Sequence, residues 1–271
     1  MAQPRPTTWP PVGHDPVATS ASPPAPLGFP GCRHCPYRRE SAAPVCLKCF
    51  SGSRPAPQAP RGSLCAVCGR SGRQGQHCAN PWCSRADRAW TAVYAVGAHE
   101  AGLRRAVAAY KYRGERWWAP VFARLLAGYL SAHPTWFEEY DRITPLPGYL
   151  GPGARRDWDP TGLIFEELKA LLGAQWDCAG GLVVKTAETP AMKGRTRAQR
   201  VALAEGALRA ALVVPDPVRV AGGRILVIDD VLTEGSSLRE VATVLLAAGA
   251  EEVAGLVLAR GSPATSLPGP G

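Results

Sequence analysis

The strongest chemical signal in the sequence is an apolar run that ends in two carboxylates and continues into a loop of small and hydroxyl residues. Residues Ile225–Ile228 are predicted to form a buried strand, and Asp229 and Asp230 follow directly. Ligands bind at the carboxyl ends of strands in open parallel sheets, and a helix N-terminus favours a phosphate. Carboxylates can accept hydrogen bonds from sugar hydroxyls, so the order of strand, acidic pair and loop predicts a ribose 5-phosphate site. The alternative, an acidic turn before an N-cap Ser236 or Ser237, explains one serine but not the whole run.

Eight of the nine cysteines form a second set with chemical potential, in two groups between residues 32 and 83. A tight Cys-x2-Cys turn points both sulfurs at one ion, so paired turns of this kind are typical of tetrahedral zinc sites. We therefore expect two structural zinc ions. The predicted ligands are Cys32, Cys35, Cys46 and Cys49 for the first and Cys65, Cys68, Cys78 and Cys83 for the second.

Other arrangements of the cysteines stay open on sequence alone. A disulfide framework is disfavoured because the N-terminus lacks the apolar core of a secretory signal. A crossed arrangement, in which the first turns of both groups share an ion, is an alternative to sequential grouping. His34 and His77 lie beside ligand positions and could substitute for a thiolate, although we expect them to face solvent.

An α/β domain must position the acidic pair, because short apolar runs alternate with amphipathic segments from about Trp90 onward. We predict a mostly parallel sheet flanked by helices, the clearest helix running over Ser236–Ala248 and another over Ala119–Ala132. The predicted strands are Trp90–Val96, Arg142–Leu146, Leu182–Lys185, Arg224–Ile228 and Val253–Ala259.

Four segments are predicted along the chain. Residues 1–30 are rich in Pro, Ala, Ser and Thr and read as a disordered tail. Residues 31–88 hold the double cysteine module, which has few aliphatic residues and needs metal to fold. Residues 89–261 form the α/β domain, and residues 262–271 a flexible tail.

Composition and charge narrow the function classes. An apolar content of 46% excludes a wholly disordered chain, and no apolar stretch is long enough to cross a bilayer, so a cytoplasmic protein without membrane insertion is expected. Residues 1–88 hold 11 Lys and Arg against 3 Asp and Glu, so nearly all of the net charge of +9 lies there. Such an excess favours a nucleic-acid partner, but two zinc–thiolate sites would lower it to about +4.

The run from Ile225 to Leu238 resembles the phosphoribosyl pyrophosphate motif of type I phosphoribosyltransferases. The resemblance implies that Asp229 and Asp230 hold the ribose 2- and 3-hydroxyls, directly or through magnesium, and are the catalytic residues. It also implies a loop that binds the 5-phosphate, and Glu234 departs from it because a small or hydroxyl residue is more usual there. The predicted loop residues are Thr233, Glu234, Gly235, Ser236 and Ser237.

Other stretches are similar to the ComF group, whose members carry a cysteine zinc module ahead of a phosphoribosyltransferase-like domain and include proteins linked to DNA uptake. The resemblance covers roughly residues 65–260, and the first cysteine group is additional to the usual single module. The similar stretches are Tyr110-Lys111-Tyr112-Arg113-Gly114, Thr144-Pro145-Leu146-Pro147, Arg156-Asp157-Trp158-Asp159, and Thr189-Pro190 leading to Arg200.

Three cations are candidates for the pyrophosphate of such a ligand. Arg155 and Arg156 follow a Gly-Pro-Gly turn, and paired guanidiniums suit dispersed phosphate charge, although an exposed basic turn is the alternative. Lys193 lies in a polar stretch that could close over a bound diphosphate, or else form a solvated loop.

Two functions follow as expectations. One is a phosphoribosyltransferase-like protein that binds phosphoribosyl pyrophosphate or a related ligand with magnesium and transfers the phosphoribosyl group to an acceptor. The other is a non-catalytic sensor or adaptor of the competence type, whose zinc module binds DNA or a protein.

Overall fold

The computed structural model describes residues 65, 67–69, 78, 80, 82–99, 101–131, 133, 135–190 and 196–261. The first cysteine group, His34, His77, Lys193 and both predicted tails lie outside these residues. In the described part of the chain no helix is both long and apolar enough to span a membrane.

The described residues form an α/β arrangement. The strands are β1 (Val93–Ala98), β2 (Arg142–Pro145), β3 (Val184–Lys185), β4 (Leu212–Val213), β5 (Arg224–Leu232) and β6 (Glu252–Arg260). The α-helices are α1 (Ala101–Arg113), α2 (Ala119–Ser131), α3 (Trp136–Glu139), α4 (Pro160–Leu172), α5 (Arg197–Leu203) and α6 (Ser236–Ala247). Short helical turns lie at Arg116–Trp118, Gly173–Gln175, Ala204–Leu208 and Pro217–Arg219.

The main sheet has the strand order β1-β6-β5-β2, and every neighbouring pair in it is parallel. Apolar side chains project from both faces of β5, one of the two inner strands. Leu226 and Ile228 pack with α1, α2 and α4, while Ile225 and Val227 pack with α6 on the other face. The predicted mostly parallel sheet flanked by helices is confirmed.

Two predicted boundaries shift for identifiable reasons. The strand predicted over Leu182–Lys185 is wrong as a member of the parallel sheet: only Val184–Lys185 is extended, and it pairs antiparallel with β4 in a separate two-stranded sheet. Leu182 and Val183 are instead buried in the preceding turn. An apolar run records burial and not the pairing partner, which explains the error.

The second shift concerns the acidic pair. β5 continues to Leu232, four residues beyond the predicted end at Ile228, because β6 pairs with it as far as Arg260. Asp229 and Asp230 are therefore residues of the strand itself, and their side chains point to opposite faces of the sheet.

Candidate functional site

A pocket of ≈430 Å³, including space open to solvent, lies at the carboxyl end of β5. Its walls are made by the last residues of that strand, the loop that follows, the first turn of α6, and one side chain from α5. The lining residues are Arg200, Asp229, Val231, Leu232, Thr233, Glu234, Gly235, Ser236, Ser237 and Leu238. The structure thus brings Asp229 together with all five predicted phosphate-loop residues.

The two carboxylates of the pair have different environments. Asp229 lines the pocket and is partly exposed, whereas Asp230 is 2% exposed and accepts a hydrogen bond of 2.8 Å from Lys111 of α1. Although burial opposes the charge of Lys111, the Asp230 and Asp229 carboxylates raise its pKa. Asp230 is thus held by an internal cation, and Asp229 is the acid that faces the pocket.

The charge of Asp230 in turn affects its neighbour. Burial, and then the Asp230 carboxylate, raise the pKa of Asp229 to about 8. Asp229 therefore retains its proton at neutral pH until a cation approaches. A magnesium ion fits here, because Mg²⁺ is commonly held by one or two carboxylates together with substrate phosphates and water, and Asp229 is the carboxylate that would hold it.

The loop after β5 depends on the conformation of Gly235. This residue has φ +95° and precedes the first residue of α6, so the amides of Ser236 and Ser237 begin the helix beside the pocket. A Cβ at this position would lie 3.1 Å from Cη2 of Trp90. Both the backbone conformation and the contact with Trp90 thus require glycine.

Glu234 does not point freely into solvent. Its carboxylate forms an ion pair of 2.8 Å with Nη2 of Arg200, and both side chains line the pocket. The negative charge that departs from the motif is therefore matched by a positive charge from α5.

The two other described cation candidates lie outside the pocket lining. Arg155 donates to a Glu188 carboxylate oxygen and to the carbonyl of Thr189, each at 2.7 Å. Burial opposes the charge of Glu188, but hydrogen bonds from Arg155 and from the Thr189 amide lower the pKa of Glu188 to about 2. The Arg156 guanidinium lies 5.8 Å from the centre of the Tyr112 ring. A role for either arginine at a pyrophosphate stays a prediction.

The second cysteine group comes together in space. Ligand atoms of Cys65, Cys68, Cys78 and Cys83 all lie within 4.8 Å of one another, as sequential grouping predicts. Burial raises the pKa of the Cys78 and Cys83 thiols, and the neighbouring sulfurs raise it further. A cation favours the ionised form of thiols held this close together, and a tetrahedral zinc ion suits a set of four sulfur donors.

This cysteine cluster packs directly against the loop after β5. Asn80 is fully buried, and its side-chain amide donates to the carbonyl of Glu234 at 3.2 Å. Its backbone amide donates to Cys78 Sγ at 3.4 Å. On the other side, Arg260 lies 3.5 Å from Cys68 Sγ and donates to the carbonyls of Leu232 and Thr233. The main chain of the loop is held by residues that also contact the cysteines.

Three known proteins are similar in sequence to most of this chain. Competence protein F of Haemophilus influenzae is 26% identical over 202 residues, which cover 71% of the chain and 84% of the relative. DNA utilization protein YhgH of Salmonella typhimurium is 28% identical over 70% of the chain and 87% of the relative, and that of Salmonella typhi 28% identical over 77% and 87%. These relatives support a ComF-family protein. No protein-family model matches the chain.

Sequence patterns do not predict several contacts that shape this site. Lys111 binds Asp230 although the two are 119 positions apart. The only sequence feature that marks this lysine is its place between two tyrosines. Arg200 stands in the sequence only as the end of a stretch similar to the ComF group, and the signals for Asn80 and Arg260 are weak. An Asn just after a cysteine ligand and an Arg ending a buried strand are the patterns that could have indicated them.

Proposed function

We propose that this chain binds phosphoribosyl pyrophosphate, or a related ribose 5-phosphate ligand, together with magnesium at the carboxyl end of β5. The observation that carries the proposal is the pocket, which joins Asp229 to a Gly- and Ser-rich loop at the N-terminus of α6. Backbone amides and the helix dipole there favour a phosphate. Asp229 would accept hydrogen bonds from the ribose hydroxyls or hold the magnesium ion.

Asp230 has a supporting role in this proposal. Its carboxylate is buried against Lys111, so it would act on the ligand mainly through the position and protonation of Asp229. When bound, magnesium would neutralise the diphosphate. A ligand with a magnesium ion would also displace the proton of Asp229, because its positive charge favours the ionised carboxylate.

If the protein is a transferase, the bond between the anomeric carbon and the pyrophosphate oxygen breaks and a bond from an acceptor atom to that carbon forms. Pyrophosphate leaves with the bonding electrons, and the acceptor loses a proton. A panel of nucleobases and amines would identify the acceptor.

Isothermal titration with phosphoribosyl pyrophosphate and magnesium tests the proposal. We expect binding by the natural chain and at least a tenfold loss of affinity in Asp229→Asn, since a tenfold change needs only about 1.4 kcal/mol. Asp177→Asn is the matched control, because this exposed carboxylate pairs with Arg142 away from the pocket. No binding, or equal binding by Asp229→Asn, would reject the proposal.

The second candidate function is a non-catalytic adaptor or sensor of the competence type. It is favoured by the names of the relatives, one a competence protein and two DNA utilization proteins. The cysteine module would then supply the contact with DNA or with a protein. Pyrophosphate release over a panel of nucleobases and amines separates the two candidates: release with one acceptor supports the transferase, and ligand binding without release supports the sensor.

A further inference from the structure

The ion pair between Arg200 and Glu234 is a feature of the pocket that the proposed function leaves unexplained. The pair spans from α5 to the loop after β5, and its two side chains are 30% and 20% exposed. Both side chains line the same pocket that would receive the phosphate. A carboxylate and a guanidinium thus occupy the space next to the backbone amides of α6.

The loop main chain does not depend on this ion pair for its position. The Glu234 carbonyl accepts a hydrogen bond from Asn80, and the carbonyls of Leu232 and Thr233 accept from Arg260. The carboxylate can therefore leave the pocket by rotation about its own side-chain bonds, while the loop keeps its shape.

Arg200 is likewise held in place independently of Glu234. Its helix begins with a capping box in which Thr196 and Gln199 exchange hydrogen bonds, and the Arg200 amide donates to the carbonyl of Thr196. The backbone of Arg200 therefore stays beside the pocket whichever way the Glu234 side chain points, and its guanidinium can still reach the loop.

The Arg200 guanidinium also has an unused donor. Its Nη2 donates to Glu234, whereas its Nε, with less than 1 Å² accessible, has no hydrogen-bond partner among the described residues. Nε and Nη2 share one edge of the guanidinium, and this edge can donate two parallel hydrogen bonds to a phosphate or a carboxylate. Glu234 satisfies only one of the two, so the edge is half used.

We propose that Arg200 is a phosphate-binding residue of this pocket and that Glu234 occupies its guanidinium until the phosphate of the ligand takes its place. The inference rests on the proposed function, and it assigns the ligand class: a phosphate monoester dianion. Such a group accepts from both Nε and Nη2 and from the amides of α6 at once. The displaced Glu234 carboxylate turns out into solvent.

This exchange should make phosphate ligands and neutral sugars respond differently to the Glu234 side chain. A neutral sugar has no anionic group to compete for Arg200, so it leaves the ion pair intact. A phosphate must instead displace Glu234, and the separation of that pair lowers its affinity. Glu234 thus reduces the affinity for the phosphate ligand, and removal of its charge should increase it.

Calorimetric titration with ribose 5-phosphate and magnesium tests the exchange, with ribose as the ligand that lacks the phosphate. We expect Glu234→Gln to bind ribose 5-phosphate about tenfold more tightly than the natural chain and Arg200→Gln about tenfold more weakly, each a change of about 1.4 kcal/mol. In the double variant, Glu234→Gln should give no gain over Arg200→Gln. Ribose binding should not respond to Glu234→Gln.

Matched controls remove equal charge elsewhere. Arg113→Gln and Glu139→Gln alter exposed side chains outside the pocket and should leave the affinity for ribose 5-phosphate within about twofold. Thermal unfolding checks the fold of each variant. If Arg200→Gln does not fold, Arg200→Lys keeps the charge but loses the two-donor edge and should still weaken binding severalfold.

The outcomes separate this inference from the proposed function. If the natural chain binds ribose 5-phosphate but Glu234→Gln binds it equally or more weakly, the exchange is refuted and the proposed function stands. If Arg200 variants bind as the natural chain does, Arg200 is not a ligand of the phosphate. If neither ribose 5-phosphate nor phosphoribosyl pyrophosphate binds to any of these chains, both conclusions are refuted.

Discussion

The cysteine cluster and the parallel sheet are held together by different forces. The sheet buries apolar side chains on both faces, with Leu226 in one core and Val227 in the other. The residues around the cluster contribute few of these, chiefly Trp82 and the partly buried Val67. We therefore expect the cluster to owe its order to metal coordination and to its contacts with the sheet, whereas the sheet owes its order to hydrophobic burial. The two should respond to different perturbations.

The largest expected effect comes from the removal of one zinc ligand. Cys68→Ser should lose about one equivalent of zinc and, with it, the contacts that Asn80 and Arg260 make with the cysteine cluster, because metal binding in such modules supplies their folding free energy, roughly 10 kcal/mol or more. The helices of the α/β region should persist, because they pack on their own cores. Metal analysis and circular dichroism measure the two results.

Cys178→Ser is the matched control for that change, because this half-buried thiol lies outside the cluster. Its zinc content should equal that of the natural chain. Full zinc retention in Cys68→Ser would contradict the division between the two regions.

A cavity in the sheet should lower the stability of the sheet and leave the zinc content unchanged. Leu226, fully buried in β5, packs with side chains from the helices on one face. Leu226→Ala should lower the free energy of unfolding by about 2–5 kcal/mol, since the cavity only partly collapses. Denaturant titration measures the loss, and zinc content at low denaturant should be unchanged. A loss of zinc in the folded variant would show that the cluster depends on the core as well as on its ligands.

The junction between the two regions should give a smaller effect. Gly235→Ala places a Cβ 3.1 Å from Trp90 at φ +95°, and strain of this kind costs about 1–3 kcal/mol. Gly206→Ala is the control, because its Cβ would meet nothing within 4 Å and its φ is not positive. A Gly235→Ala chain as stable as the natural one would mean that the loop relaxes freely at the junction.

The smallest effect is a pH dependence specific to the sheet. The pKa of Asp229 is raised to about 8 in the folded chain, from an unfolded value of 3.8, so the folded state binds the extra proton between these values. Its contribution to stability is complete below about pH 4 and is lost as the pH rises through 8. Asp229→Asn should flatten this decline, by something on the order of 1 kcal/mol between pH 7 and 9.

Unfolding at several pH values, with and without Asp229→Asn, measures that slope. The cluster should show the opposite trend, because thiolates bind metal better as the pH rises. Identical slopes for the natural chain and Asp229→Asn would place the titration on another group.

Local patterns in the sequence were enough to predict the main elements of the sheet. The apolar run of β5 and the spacing in α6 each depend on neighbours along the chain, and the loop between them was predicted residue by residue. The grouping of Cys65 with Cys83 is local in the same sense, because short spacers limit which sulfurs can meet.

The contacts that decide the chemistry could not be predicted in this way. Asp230 and Glu234 find their cations, Lys111 and Arg200, on helices that are distant in sequence. The antiparallel pairing of β3 with β4 also depends on the three-dimensional arrangement, since a two-residue strand carries no pattern that identifies its partner. Arg155 is a sequence candidate for a pyrophosphate contact or for an exposed basic turn, and its pairing with Glu188 depends on a residue 33 positions away.

The hydrogen bonds of Arg260 have a practical consequence for anyone who shortens this chain. An α/β fragment that begins after residue 88 would keep this side chain, 7% exposed in the intact chain, but would lack the Cys68 sulfur beside it. It would also expose the edge of β1, whose Val93 amide donates to the carbonyl of Val67 at 2.7 Å. Such an excised fragment is expected to self-associate through that bare edge, and an inactive preparation of it would say little about the intact protein.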